Sequence, residues 1–547
     1  MSLLSLGLVL LVVAALVGSL AVVVALDRPG GTWGQRLRSR LVMGVPWGTL
    51  VVVTLVVANY LVVQDGWNHW HRPITLPFRA WSYLYPTGMF FAPFSHADAG
   101  HLTGNMIATL ILAPIAEYAY GHFPEDRGTA SFASLGSNPL VRALVIFPGV
   151  TFAVGLLTSV FALGPVIGFS GVVFAFAGFA LVRYPMTTLV AILGGQRLLS
   201  LLYSTLQQPI VTASATPSPP SPPWWAGIAI QGHALGLFIG ILLGVVVFFG
   251  RDDRPSALRL WLAVLFFAVS KNLWAIYWYL GDERFQLFRG PGLALVAVLA
   301  IVVASALHLR ERDLSSFTPR SASLVVLVIV TALMVGAAVP VNLMTVSDGS
   351  VPGDSVEVRD YEVTYAENVQ NQMVSVIDID ALGQTTNVSS SGVIVSSEGR
   401  NIWYQDVSRG RLAYSGRATV RLGGVGWRET VTVTRDGWSA VGGGKTYRVF
   451  LHPPEGEKRL VFTAGNATTE AQLGGKNVSV AATEQGYEVL VSQNGTVLDR
   501  AGVPQGNQTA TLSGITFVRD NRKNGGDRIY AVLDGTKVRV FVKETYK

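Results

Sequence analysis

Ten mostly apolar stretches run through the first 345 positions of this 547-residue chain, at about 3–26, 46–64, 94–120, 140–163, 169–184, 187–207, 224–249, 257–280, 290–308 and 322–345. A helix needs about 20 apolar residues to cross roughly 30 Å of hydrocarbon. No water is available there for unpaired backbone groups, so helices and closed barrels are the only structures that cross. The spans therefore predict a polytopic α-helical membrane protein. Composition agrees: 50% of residues are hydrophobic and only 14% charged, too apolar for an ordinary soluble domain. The absence of cysteine excludes disulfides, thiolate zinc sites and cysteine nucleophiles.

Charge is distributed unevenly. From Val346 onward 22 basic residues balance 22 acidic ones, so the whole formal charge of +7 belongs to the membrane part. That excess reads as cytoplasmic loops and not as nucleic-acid binding. The first span has no basic region before it and no small-residue cleavage site, so it reads as an anchor with its N-terminus outside. Alternating from there, the inner loops hold 13 arginines (Arg28, Arg36, Arg38, Arg40, Arg127, Arg142, Arg183, Arg251, Arg254, Arg259, Arg310, Arg312 and Arg320). The outer loops hold four: Arg72, Arg79, Arg284 and Arg289. The positive-inside rule then places both termini outside a multi-pass protein of the cell membrane. Arg197 interrupts the span at 187–207, which is expected to be short and to begin nearer Leu198.

Residues 212–223, "TASATPSPPSPP", form a Pro/Ser linker. After Val346 the pattern changes to period-two alternation between turn residues, as in "ETVTVTRDG" and "KVRVFVKETY". This predicts an antiparallel β domain over 347–547, sandwich-like and extracytoplasmic. Its five N-x-S/T sequons, at Asn387, Asn466, Asn477, Asn494 and Asn507, all fall in the segment that charge counting places outside. The expected organisation is an extra helix and basic loop at 1–45, a helical core at 46–250, three further spans at 251–346 and the β domain.

Polar groups persist in a bilayer at a cost and call for an explanation. "HADAGHLTGN" holds His96, His101 and Asn105; "GFSG" holds Gly168, Ser170 and Gly171; "QGHALGLFIG" holds His233, Gly236 and Gly240. At about 100° per residue, His101 and Asn105 share a helix face. So do Gly171, Ala175 and Gly178, and so do His233, Gly236, Gly240 and Gly244. Small residues at that spacing let two helix backbones approach closely, which a serine and a histidine on different helices need for hydrogen bonding. Ser170 would then be a nucleophile and His233 its base. His101, Asn105 and the backbone N–H groups at the start of the serine helix would donate to an oxyanion. No acid on neighbouring spans offers to orient His233, so the pair reads as a dyad.

The three motifs together resemble the rhomboid family. "HADAGHLTGN" is similar to its H-x4-H-x3-N signature, "GFSG" to its G-x-S-G, and "HALGLFIG" to its H-x2-G-x3-G, in the same order along the chain. The resemblance covers about 46–250. It implies a six-helix core, here with about four extra spans, and an intramembrane serine endopeptidase that cleaves transmembrane protein substrates near the outer membrane face. It implies no metal and no cofactor. It also places Ser170 as nucleophile, His233 as base, and His101 and Asn105 at the oxyanion. Rhomboids often carry tyrosine four residues after the serine, stacked on the histidine; Phe174 stands there instead. The usual Trp-Arg pair of the first outer loop has only a loose counterpart in "WNHWHRP" and "FRAWSYLYP".

Plainer roles compete at each position. Ser170 alone would read as a helix cap, His233 as a buried polar bridge, and His101 with Asn105 as a structural network. His96 reads as a supporting residue and Gly168 as a tight-turn residue. Trp67, His69 and His71 read as an interfacial belt, and Glu117 as structural. Arg197 and Lys271 receive no functional role. At the level of the whole chain, the alternatives are an inactive rhomboid-like protein that binds membrane clients, a transporter, and an anchored β domain with an extracytoplasmic partner.

Overall fold

The computed structural model describes the chain except residues 1–2, 29–31, 125–128, 133, 212–217, 249–254, 282–283, 309–317, 344–345, 347–352, 373–387, 507 and 522–525. Arg127, Arg251, Arg254, Arg310, Arg312, Asn387, Asn507 and half of the Pro/Ser linker lie outside the described residues.

Among the described residues, ten apolar helices overlap the ten expected spans. They are α1 (Leu3–Asp27), α2 (Trp47–Val63), α3 (Ala99–Tyr120), α4 (Pro139–Val160), α5 (Ser170–Arg183), α6 (Pro185–Gln207), α7 (Ile230–Val247), α8 (Ala257–Ser270), α9 (Arg289–His308) and α10 (Pro319–Leu343). Seven are long and apolar enough to cross a membrane; α2, α5 and α8 are shorter. The chain is a polytopic helical membrane protein with a β-rich C-terminal region. Four helix ends differ clearly from expectation, one being the start of α7, at Ile230 and not near 224. Helix α3 begins at Ala99 because the Asp98 side chain caps it, accepting from the His101 N–H at 2.9 Å. Helix α8 stops at Ser270, and a hairpin of Tyr277–Gly281 and Arg284–Leu287 follows it. Helix α6 runs unbroken from Pro185 through Arg197, so it does not begin near Leu198.

Helices α2 to α10 share one apolar core, to which α10 contributes Leu327. It includes Val52 and Val56 of α2, Leu112 of α3, Val173 and Leu181 of α5, Leu237 and Ile241 of α7, and Val303 of α9. Helix α1 buries none of its residues against the rest. The start of α2 lacks a side-chain cap of its own, and Glu117 of α3 supplies one. Its Oε1 accepts from Gly48 N–H at 2.7 Å, and its Oε2 accepts from the N–H and hydroxyl of Thr49 at 2.8 and 2.7 Å. The His122 Nε2 donates to Oε1 at 2.7 Å while its Nδ1 accepts from Val42 N–H at 3.0 Å, which fixes the tautomer. A carboxylate beside the first N–H groups of a helix also meets the positive end of its dipole.

The single expected sandwich is instead two, built on one shared sheet. Eight strands form that sheet. The central strand, Trp427–Ala440, pairs along its first half with Arg417–Gly424 and at its end with Thr536–Lys543. Above the first half lies a four-stranded sheet, Ser355–Val358 to Ile402–Ser408, and the two bury Val363, Val393 and Val395 against Val431, Val433 and Val449. Above the second half lies another four-stranded sheet, Ala467–Thr468 to Thr496–Gly502, burying Val478, Val480 and Val489 against Phe517, Ile529 and Phe541. A 14-residue strand that alternates inward and outward residues can serve both units, because each partner covers only part of its length.

Leu76 and Trp81, from the loop between α2 and α3, lie inside the first β core. The boundary drawn between helical core and β domain is therefore crossed by packing.

Candidate active site

The serine helix and α7 touch backbone to backbone. A Cβ added at Gly236 would strike the Gly171 carbonyl, one at Gly240 the Ala175 carbonyl, and one at Gly178 the Leu237 carbonyl. No other residue fits at these three positions, and the contact they permit draws the serine and histidine together. The His233 Nε2 lies 2.8 Å from Ser170 Oγ, a hydrogen bond between side chains 63 positions apart. The Nδ1 of His233 is buried without a hydrogen-bond partner among the described residues, so the arrangement is a pair with no carboxylate behind it.

The imidazole is held by packing instead. The Phe174 ring lies parallel to it at 4.4 Å between centroids and 6° between planes. Phe174 is in turn braced edge-on at 5.5 Å by Phe267 of α8, one of the added helices. A ring suffices for this stacking and a hydroxyl is not needed.

Ser170 is the first residue of α5. Gly168, at φ +128°, turns the chain into it, with its N–H bonded to the Ala92 carbonyl at 2.9 Å. The same glycine lies against the two donors of α3. A Cβ there would fall 2.5 Å from His101 Cε1, 2.7 Å from its Nε2 and 3.6 Å from Asn105 Nδ2. Gly168 is thus required both by its backbone angle and by the space it leaves. Asn105 Nδ2 is buried with no partner among the described residues. An unpaired buried donor is costly, and this one stands beside the serine loop, where a developing negative charge would satisfy it. The first N–H groups of α5 also lack intrahelical acceptors.

His96 is fully buried under His101, with ring centroids 5.1 Å apart in an edge-on contact. Its backbone is clamped by Gln64, whose side chain accepts from His96 N–H at 2.7 Å and donates to its carbonyl at 2.8 Å. His96 therefore supports His101 by packing and does not reach the pair. Gln64 escaped the sequence reading because a lone glutamine at a span end carries no motif.

Other singled-out residues lie elsewhere. Trp67 is 78% exposed, and His69 bonds Asp65 at 2.6 Å. Lys271 donates to the Gln196 side chain. Among the described residues, no group of three or more His, Cys, Asp or Glu is placed to hold a metal.

Comparison with known proteins bears on the same residues. Residues 83–250 match the family model described as Rhomboid domain, a segment that contains His96, His101, Asn105, Ser170 and His233. Searches of curated proteins and of solved structures returned no match. Residues 83–250 are thus a rhomboid domain.

Proposed function

We propose that this protein is an intramembrane serine endopeptidase working through a Ser170–His233 dyad. The observation that carries the reading is the 2.8 Å contact between His233 Nε2 and Ser170 Oγ. In the chemistry it supports, neutral His233 takes the hydroxyl proton as Ser170 Oγ attacks a peptide carbonyl. The carbonyl oxygen becomes an oxyanion, met by Asn105 Nδ2, His101 and the first amides of α5. The imidazolium then gives its proton to the departing amine, which leaves an ester on Ser170. Water, deprotonated by His233, attacks that ester, and the acid product leaves with Ser170 reprotonated.

The position of the site supports a substrate class. Ser170 begins a short helix within an apolar bundle, so a peptide bond that reaches it comes from a membrane segment able to unwind locally. The arginine distribution favours a site opening on the outer face of the cell membrane, with both termini and the β region on that side.

The test is cleavage of a model transmembrane substrate by the purified full-length protein in liposomes. Ser170→Ala is expected to lower cleavage by at least about 10³-fold. Cleavage by Ser170→Ala at the parental rate would refute the dyad. No cleavage by the parent, with the substrate still bound, would favour a client-binding protein.

A further inference from the structure

The loop leading to Ser170 is gripped in part from outside the matched domain. It leaves α4 at Val160, and among the described residues five carbonyls along it accept bonds from other parts of the chain, two of them being Phe161 from Gln231 Nε2 of α7 at 2.8 Å and Pro165 from Arg79 at 3.5 Å. Asn342, near the end of α10 and 1% exposed, donates its Nδ2 to the carbonyls of Val160 and Ala162 at 3.1 and 2.9 Å. Tyr83 donates its hydroxyl to Val160 O at 2.8 Å, and Ala80 donates its N–H to Val166 O at 3.0 Å. The grip is closed on itself, because the Asn342 carbonyl accepts from Tyr83 N–H at 2.9 Å and from Ser82 Oγ at 3.1 Å. One residue of the last added helix therefore ties the loop at 80–83 to the loop at 160–166. Two residues beyond Val166 stands Gly168, against the oxyanion donors.

The 76–85 loop is itself fixed by the β region. Trp81 is 2% exposed within the first β core, its ring edge-on to Tyr404 at 5.7 Å. The Arg79 guanidinium lies 5.2 Å over the same Tyr404 ring. The Tyr85 hydroxyl accepts from Arg400 at 3.1 Å, and Arg400 is paired with Asp360. Ile74 fills the space that glycine leaves at Gly423.

We infer that the β region and α10 act as a built-in clamp that sets the approach of Ser170 to its oxyanion donors, with Asn342 and Trp81 as positioning residues. The inference rests on the protease reading for its effect on rate, but its structural half stands apart from it. The polypeptide between Val160 and Gly168 contains no helix or strand after α4 ends. Its conformation depends on those side-chain and loop contacts, and an ångström of drift at a reacting centre can cost about 10²-fold in rate.

Two full-length variants test this. Asn342→Asp keeps the size and replaces both donors with an acceptor facing two carbonyls. Tyr404→Ala loosens Trp81 and Arg79 from a distance of more than 200 positions. Hydrogen exchange of the 161–168 amides is expected to quicken at least about tenfold in Asn342→Asp and about threefold in Tyr404→Ala. The rate at which a fluorophosphonate modifies Ser170 is expected to fall about tenfold and about threefold, respectively, with KM for a membrane substrate unchanged within about twofold. Parental exchange and parental modification in both variants would overturn the inference. Should Asn342→Asp fail to fold, Tyr404→Ala decides alone. Should the parent resist the fluorophosphonate, the protease reading falls, and the exchange measurement still decides whether the clamp exists.

Discussion

One helix, α3, carries two polar clusters at its opposite ends, and they are built on opposite principles. At the Glu117 end every carboxylate oxygen is taken. Gly48, Thr49 and His122 donate four bonds to it, and His122 spends its second nitrogen on Val42. At the Asn105 end polar atoms are left open: among the described residues, Asn105 Nδ2 and His233 Nδ1 have no partner. Both clusters are buried in the same apolar bundle. The closed cluster fixes the start of α2 and stabilises the fold. In the proposed reaction, the open cluster offers its unmet hydrogen-bonding capacity to the developing oxyanion. Burial of polar residues in a membrane protein thus does not by itself mark a site, whereas burial together with incomplete pairing points to one.

The contrast separates two kinds of loss. Asn105→Ala removes an open donor, so peptide-bond cleavage is expected to fall by about 10²- to 10³-fold while thermal stability in detergent stays near parental. A stability loss without a rate loss would make Asn105 another closed contact. Glu117→Gln acts in reverse. It removes the charge that four donors meet, and stability is expected to fall by about 3 kcal/mol. The cleavage rate per folded molecule is expected to stay within about threefold of the parent. A specific loss of rate would show that the closed end also serves the chemistry.

A smaller effect sharpens the comparison in the β region, where a closed cluster lies outside the membrane helices. Burial alone would raise the Glu544 carboxyl. The two 2.9 Å bonds and the charge of Arg435, with Lys445 at 3.3 Å and the Tyr546 hydroxyl at 3.1 Å, outweigh burial and hold it below its ordinary value of 4.5. A carboxyl depressed on folding stabilises fully above the ordinary value, and that contribution is lost as pH falls through the lower folded value. Unfolding of the β region, followed by tryptophan fluorescence, is expected to ease below about pH 4.5. Glu544→Gln is expected to lower the melting temperature at neutral pH by roughly 5 °C and to flatten the acid limb. An unchanged acid limb would remove Glu544 from the account.

The sequence made the ten helices legible because apolar runs of membrane length have few other uses. Their ends were harder. The start of α3 was set by the Asp98 cap, and the end of α8 by a hairpin whose aromatic residues, Tyr277 and Trp278, look equally like membrane-span sequence. Ser170, His233, His101 and Asn105 stood out because polar groups are rare among apolar ones. The chemistry of Gly168 was only half visible: its turn could be read, but its contact with His101 could not. Asn342 and Trp81 were invisible because their partners lie far away in the chain; the Ser82–Asn342 bond spans 260 positions. Period-two alternation identified strands after Val346 but not their partners. One long strand shared by two sandwiches therefore read as a single domain.

The most direct test of the central claim is the site and rate of fluorophosphonate modification of the full-length protein in liposomes, read by intact mass and peptide mapping. One phosphonyl group on Ser170 is the expected result, with the rate lowered at least about 10³-fold in His233→Ala because the hydroxyl then has no base. Modification of another serine, or of Ser170 at an equal rate without His233, would contradict the account.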